Sequence, residues 1–363
     1  MGGRPPPDPV FVFHGLGGDE EASVSCLRFA QLPVGNGQQP VLLAGSSKGR
    51  VMVWDLKTRK KRGECKLSDG IISIDAWSGG IWCHVRNKGV SLRSKDMQTE
   101  IAFLPSAHYG FCGSRRLKSS AADDVIAGSS DWLFVPTESD QSTLVMDVYD
   151  ISQPTPRTLL PICSIPITST CKTLHNTSKR GMPMALTFLP NVGQTAAFVI
   201  VGFESGEIAL FSASTACQSE LASLKLFDDA VTSLDFDSVN RRGYAASTGT
   251  VVKCWSCKTD DRDGTWSITT TEHQNREIRL NSPGVATVRV RADGKLIALA
   301  CWDGNIRVYS GKSCKLLAVL KFHDGASLQC LEFCQLTDPG IEPGLFAAGG
   351  KDGKVSLWSL FSD

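Results

Sequence analysis

Two short motifs in this chain have the residue types and spacing of sites that bind ligands. Cys254 and Cys257 form a Cys-x-x-Cys pair, which would supply two of the four ligands that a structural zinc ion needs. No second pair and no nearby pair of histidines completes the set. The Gly-Lys-Ser sequence at 311–313 matches the end of a phosphate-binding loop, but Ile306 stands where that motif needs glycine. We therefore expect no metal, no nucleotide and no other cofactor.

The histidines are dispersed and do not form a recognisable catalytic set. No Ser–His–Asp order and no pair of carboxylates in a catalytic context accompanies them, although catalytic groups converge only in space. Three of them lie at similar positions before strand-like segments, and this placement favours a role in stabilising turns. We predict that the protein is not an enzyme and has no catalytic residue. The six histidines are His14, His84, His108, His175, His273 and His323, and the three before strands are His14, His273 and His323.

The sharpest charge feature is a run of five basic residues within six positions. Such a run is typical of a contact for an acidic partner or of a nuclear-localisation patch. The sequence leaves open the alternative that it is an ordinary solvated hairpin. The residues that we predict as partner contacts are Lys57, Arg59, Lys60, Lys61 and Arg62.

Composition excludes several classes of protein. The chain has 363 residues, of which 42% are hydrophobic and 21% charged, and its formal net charge is +1. These values are typical of a packed globular protein and lack the basic excess of direct nucleic-acid binders. No apolar run approaches the roughly 20 residues that span a bilayer, and the N-terminus lacks the apolar core of a signal peptide. The 13 cysteines are then expected as free thiols in the cytoplasm, the nucleus or both.

The strands that carry these residues are indicated by a repeated sequence motif. A glycine is followed by alternating apolar residues and, five positions after the glycine, by an aromatic residue; a looser copy is one residue longer. This alternation predicts strands that follow tight hairpins. A period of about 45–50 residues predicts an all-β fold, a seven-bladed WD-repeat β-propeller. The aromatic repeat positions are Trp54, Phe211, Trp255, Tyr309 and Trp358.

We predict a single propeller over residues 10–361, preceded by a flexible tail at 1–9. Blades 2 and 3 are degenerate, and strands of blade 3 are placed at 125–128, 132–135 and 144–149. The last blade lacks an outer strand, which the N-terminal segment 10–14 is expected to supply. Loops at 174–181 and 274–283 are expected to contact partners, and a third long loop is expected at 335–344.

Blade 7 carries parts of a hydrogen-bond network between a loop, a turn and a strand. His323 lies before its first strand, Asp352 in its turn and Trp358 at its end, and blade 6 keeps the turn aspartate as Asp303. The expected Ser or Thr partner falls at 349–350, where both residues are glycine, so we expect the network to be incomplete. The repeat tryptophans are expected to pack between blades, each with its indole N–H bonded to a local acceptor.

The chain resembles WD-repeat propellers and, more narrowly, the guanine nucleotide-binding protein β-subunit-like protein 1 family. The resemblance covers nearly the whole chain and depends on the order and spacing of short segments. These are DPVFV at 8–12, GMPM at 181–184, LDFDS at 234–238, NSPGV at 281–285, WDGNIRV at 302–308 and KDGKVSLWSL at 351–360.

This resemblance implies a non-catalytic adaptor that binds other proteins. We expect the protein to be monomeric by itself. It implies a role with the co-chaperone complex that matures or stabilises phosphatidylinositol-3-kinase-related kinases, and it implies no guanine nucleotide and no γ-subunit partner. The alternatives are a substrate receptor of a cullin-type ubiquitin ligase and a plant-type regulator of embryo development and cell-to-cell transport. The ligase-docking signature, Asp-x-Arg after a repeat Trp-Asp, is absent from the segment WDLKT at 54–58.

Overall fold

The computed structural model describes residues 7–16, 21–34, 37–107, 110–118, 131–138, 144–153, 160–167, 180–189, 197–213, 218–260, 262, 264–270 and 277–360. Within these residues there are 29 strands and no helix, and the strands form seven antiparallel sheets. None of these segments is therefore a helix long and apolar enough to cross a membrane.

Blades 1 to 3 contain twelve strands. They are β2 (Val24–Val34), β3 (Gly37–Ser46), β4 (Arg50–Asp55) and β5 (Lys61–Lys66) in blade 1; β6 (Ile71–Trp77), β7 (Gly80–Val85), β8 (Gly89–Ser94) and β9 (Glu100–Pro105) in blade 2; and β10 (Arg115–Lys118), β11 (Asp131–Glu138), β12 (Leu144–Asp150) and β13 (Cys163–Pro166) in blade 3.

Blades 4 to 7 contain the others. They are β14 (Pro183–Leu189), β15 (Phe198–Phe203), β16 (Glu207–Ser212) and β17 (Glu220–Lys225) in blade 4; β18 (Val231–Asp237), β19 (Arg242–Ser247), β20 (Val251–Thr259), β21 (Trp266–Thr270) and the short β22 (Ile278–Arg279) in blade 5; β23 (Val285–Val290), β24 (Leu296–Cys301), β25 (Asn305–Ser310) and β26 (Leu316–Lys321) in blade 6; and β27 (Leu328–Phe333), β28 (Leu345–Gly350), β29 (Val355–Ser359) and β1 (Phe11–Phe13) in blade 7.

The seven-bladed propeller predicted from the sequence is confirmed. The first strand of each blade lies innermost, and β2 packs beside both β6 and β27, which closes the ring. Blade 3 differs in detail from the prediction. Its innermost strand is β10, whereas the predicted strand at 125–128 lies outside the described residues; the two other predicted strands coincide with β11 and β12.

Ring closure by the N-terminal strand is also confirmed. β1 pairs antiparallel with β29, and Phe11, Val12 and Phe13 lie opposite 357, 356 and 355. Phe13 is buried against Trp54 of blade 1, with 4.8 Å between the ring centroids. The strand therefore supplies the outer edge of blade 7 and an apolar anchor in the neighbouring blade.

Apolar side chains fill the spaces between neighbouring blades, and the repeat aromatics belong to these cores. Trp54, Trp255 and Trp358 are all at most 3% exposed. The Trp358 indole donates to Ser356 Oγ over 2.8 Å, as expected for a local acceptor. The same expectation is wrong for Trp255, whose buried Nε1–H has no acceptor among the described residues. Its ring lies directly over Gly243, and burial of the ring holds it there.

Candidate functional site

The hydrogen-bond network of blade 7 is complete, contrary to the sequence-based expectation. His323 Nδ1 lies 2.9 Å from Asp352 Oδ2, and its Nε2 lies 2.8 Å from Ser356 Oγ. The hydroxyl therefore comes from β29, two residues before Trp358, and not from positions 349–350 of β28. Burial opposes ionisation of Asp352, but the bond to His323 outweighs it and holds the pKa of that carboxyl below its usual value. The network ties a loop, a turn and a strand together.

Two other blades carry arginine–carboxylate clusters in or beside the turn between their second and third strands. In blade 6, Asp303 accepts two bonds from Arg307, at 2.9 and 2.6 Å, and one from Ser282 at 2.7 Å. These bonds, led by those from Arg307, hold the pKa of Asp303 far below its usual value. In blade 4, the fully buried guanidinium of Arg180 binds Glu207 at 2.7 Å and Glu220 twice at 2.7 Å. We interpret both clusters as structural.

The main polar feature inside the ring was missed by the sequence analysis. In every blade except blade 3, the innermost strand is bulged at its first residues. On each of these six innermost strands we compare the residue four positions after the first residue of the strand. It is charged in five blades and is threonine in blade 4. Together with Arg115 of β10, these residues line the central channel. In blade order they are Arg28, Asp75, Arg115, Thr187, Asp235, Arg289 and Glu332, which we call the channel ring.

Charges in the channel ring alternate in sign, with the neutral Thr187 as the interruption. The channel ring has a signal in the sequence. On five innermost strands a charged residue stands between two apolar neighbours, as Arg28 does between Leu27 and Phe29. Alternation places that side chain on the opposite face from its neighbours. The neighbours pack between blades, whereas the charged residue is among those that line the channel.

Four members of the channel ring form one ion-pair network. Arg28 donates from Nε to Asp75 at 3.1 Å and from Nη1 to Glu332 at 2.6 Å. Arg289 donates from Nε to the other oxygen of Glu332 at 3.0 Å. Burial alone would raise the pKa of Glu332, but Arg28 and Arg289 outweigh it, and the pKa lies below its usual value. The network joins blades 6, 7, 1 and 2 across the seam where the ring closes.

The remaining charges of the channel ring are less well satisfied. Asp235 accepts the backbone N–H of Val290 at 2.7 Å but has no cationic partner within ion-pair distance among the described residues. Burial raises its pKa, and Arg289 and Arg115 offset this only in part. Arg115 has neither a hydrogen-bond acceptor nor an ion-pair partner in the described part of the chain. Burial, followed by repulsion from Arg289, lowers its pKa to about 10.

The ligand-binding motifs of the sequence do not assemble into sites. Cys254 and Cys257 lie on β20, three residues apart, so their side chains point to opposite faces of the strand. Burial raises the pKa of Cys257 to about 12, which leaves a thiol and not a metal-binding thiolate. Across the described ranges, no cluster of three or more potential metal ligands occurs. The 311–313 segment forms a turn between β25 and β26 and not the start of a helix.

The basic run forms the turn between β4 and β5, and its members differ in their contacts. Lys57 pairs with Asp338 at 2.8 Å, and Arg59 bonds to Glu342 at 3.2 Å and to the Val10 carbonyl at 3.0 Å. Both residues therefore hold the loop after β27 and the N-terminal strand against blade 1. The remaining members are exposed: Lys60 has no partner for its side chain among the described residues, Lys61 pairs with Glu64 at 3.2 Å, and Arg62 bonds to Gln39.

The two faces of the ring present different features. Because strands alternate in direction within a blade, the basic hairpin and the 335–344 loop share one face, which we call the hairpin face. A cavity of about 810 Å³ opens there at the channel mouth. The opposite face carries His323 and the turn with Trp302, which is 40% exposed and lies over Gly284; we call it the His323 face.

The predicted contact loops are only partly described. Most of 174–181 lies outside the described residues. The segment 274–283 is not wholly irregular, because β22 within it pairs with β20 through Val251 and Val252. The third loop, between β27 and β28, is irregular as expected. His14 follows β1 and is exposed, whereas His108, His175 and His273 fall outside the described residues.

A solved structure with this architecture supports the assignment of the fold. The β-propeller domain of Cps50 (Swd1) from Myceliophteria thermophila superposes with a TM-score of 0.65, covering 93% of this chain and 97% of that domain at 16% identity. The chain folds as a seven-bladed β-propeller. At this identity the superposition establishes the fold of the propeller alone.

Sequence comparison relates the propeller to two named proteins over its whole length. The guanine nucleotide-binding protein subunit beta-like protein 1 of Mus musculus is 29% identical, with 98% of this chain and 97% of the mouse protein aligned. The ASTRA-associated protein 1 of Schizosaccharomyces japonicus is 24% identical, with 98% and 99% aligned. No family model matches the chain. The resemblance inferred from short segments is thus confirmed over nearly the whole chain.

Proposed function

We propose that the propeller is a scaffold that joins a co-chaperone complex to phosphatidylinositol-3-kinase-related kinases during their maturation or stabilisation. The observation that carries this proposal is whole-length similarity to a protein named for its association with ASTRA, together with similarity to the beta-like protein 1. A rigid ring with two differently equipped faces suits simultaneous contact with two partners. A specific interface needs about 800 Å² on each partner, which one face of a propeller of this size can provide.

The geometry supports a binding role for this scaffold. The charged groups of the channel ring are mostly engaged in ion pairs between blades, and those pairs hold the inner strands in position. On the hairpin face, exposed Lys60, Lys61 and Arg62 offer positive charge to an acidic partner. On the His323 face, the half-exposed Trp302 offers the kind of aromatic anchor that is enriched in protein interfaces.

Co-purification tests the proposed function most directly. Tagged protein would be purified from its native cells at low salt, and the recovered proteins identified by mass spectrometry, with cells lacking the tag as control. Recovery of co-chaperones together with a very large kinase is the expected result. Recovery of cullin-ligase adaptors in their place would overturn the proposal and leave the propeller fold standing.

We also propose that the protein acts in the cytoplasm, the nucleus or both. A fluorescent fusion would show its distribution in intact cells. If the 57–62 run directs nuclear import, replacement of its basic residues by glutamine lowers the nuclear fraction. An unchanged distribution would remove the run from this role.

A further inference from the structure

Arg115 stands apart from the other two arginines of the channel ring. Arg28 and Arg289 both donate to carboxylates of neighbouring blades, at distances of 2.6–3.1 Å. Arg115 faces the same channel from β10 and has no acceptor within hydrogen-bonding distance in the described ranges. An unpaired guanidinium that is partly withdrawn from water carries a free-energy penalty that a bound anion would remove.

No carboxylate near Arg115 lies within ion-pair distance of it among the described residues. Asp75 and Glu332 bind the other two arginines, and Asp235 accepts only the backbone N–H of Val290. The channel has a volume of about 680 Å³, enough for side chains of a ligand but not for another domain. Arg116 is neutralised by an ion pair with Asp131 at 2.6 Å. The walls otherwise carry more basic than acidic groups, with Arg28, Arg115, Lys118 and Arg289 against Asp75, Asp235 and Glu332.

We propose that Arg115 binds a carboxylate side chain from an acidic segment of a partner protein, inserted into the central channel. A guanidinium and a carboxylate form two parallel hydrogen bonds, a geometry that lysine cannot reproduce. The channel would thereby bind an acidic segment on the ring axis, separately from the basic hairpin at the outer edge of blade 1. This inference rests on the proposed scaffold function, because it names the chemistry of one partner segment.

Binding of a fluorescein-labelled peptide of eight glutamates to the purified full-length protein tests the inference. Fluorescence anisotropy at low salt would compare the wild type with Arg115→Gln. We expect the substitution to weaken binding by about tenfold or more, as loss of a charge-assisted pair implies. Arg279→Gln is the matched control, because Arg279 is an arginine with 77% of its side chain exposed, and we expect its affinity to stay within about twofold of the wild type.

Three further measurements keep the test decisive. Arg115→Lys keeps the charge and removes the planar fork, so its affinity should fall between wild type and Arg115→Gln. A peptide of eight glutamines should not bind. The melting temperature of Arg115→Gln should equal or exceed that of the wild type, because an unpaired cation is removed; a structural role predicts a lower value.

The proposal is overturned if the wild type does not bind the glutamate peptide, or if Arg115→Gln binds it with unchanged affinity. It is equally overturned if only charge reversal of Lys60 and Lys61 abolishes binding, since the peptide would then bind the hairpin. A negative result in the peptide-binding assay would not contradict recovery of co-chaperones. Failure of that recovery leaves peptide binding by Arg115 standing, so the two proposals can be separated.

Discussion

His323 Nε2 and Ser356 Oγ lie 2.8 Å apart, and this contact completes a network that also contains Asp352 and Trp358. The hydroxyl is buried and serves several groups at once, since it meets the imidazole and accepts the indole N–H. Its position on β29 makes one side chain responsible for the link between the loop before blade 7 and the core of that blade.

Replacement of Ser356 by alanine is expected to lower the free energy of unfolding by about 1–3 kcal/mol, because buried partners lose their hydrogen bonds. Urea denaturation would measure the loss. Ser267→Ala is the control, since Ser267 is exposed and makes a single long bond of 3.5 Å. Equal stability of the two variants would contradict a structural role for the network.

Replacement of Glu332 by glutamine is expected to lower the free energy of unfolding by about 3–5 kcal/mol at pH 7, because Arg28 and Arg289 lose a buried anion. The pKa of Glu332 is lowered in the folded protein. Its stabilising contribution is therefore complete above the unfolded-state pKa of about 4.3 and is lost as the pH falls towards the folded-state pKa.

Urea denaturation of wild type and Glu332→Gln at pH 7, 5 and 4 would check this. The difference in stability should be constant between pH 7 and 5 and should begin to shrink near pH 4. A difference that grows on acidification would contradict the assigned direction of the pKa shift.

Truncation of Phe13 to alanine is expected to cost about 3–5 kcal/mol, the usual range for a buried phenylalanine. Phe13 is 2% exposed and packs on Trp54 across the seam between blades 7 and 1. Phe103→Ala is the matched control, because Phe103 is 42% exposed on β9. Similar melting temperatures for both variants would show that ring closure contributes little to stability.

Alanine at Gly243 is expected to destabilise the protein by about 1–3 kcal/mol through overpacking. A Cβ there would lie 2.0 Å from the Trp255 ring, so the indole would have to move. Gly249→Ala serves as control, because its nearest neighbour lies at 3.4 Å. Thermal unfolding would compare them, and a tolerated Gly243→Ala would mean that the ring shifts without cost.

Charge reversal of Lys60, Lys61 and Arg62 is expected to weaken recovery of partners without lowering the melting temperature. Their internal contacts are exposed pairs, which contribute little to stability. Arg59→Ala should behave differently and lower the melting temperature, because Arg59 holds the Val10 carbonyl, Glu342 and the Phe11 ring. Unchanged recovery after charge reversal would remove the three exposed residues from the binding surface.

The sequence predicted those parts of the fold that depend on local alternation. The four glycines that begin the repeated motif all have positive φ, between 71° and 85°. They therefore mark the turns reliably. The same alternation predicted β1, because an apolar strand without a local partner must pair elsewhere. It failed for the first strand of blade 3, where β10 has only four residues and the spacing between blades is irregular.

Repeat, alternation and turn glycines by themselves determined that this protein is a ring of seven sheets closed by its own N-terminus. Only the tertiary structure decided which polar groups meet. Arg28 and Glu332 are 304 residues apart and come together at the seam, and Ser356 replaces the hydroxyl expected on β28. Strand patterns depend on neighbours in sequence, whereas the channel ring depends on how seven strands are placed around one axis.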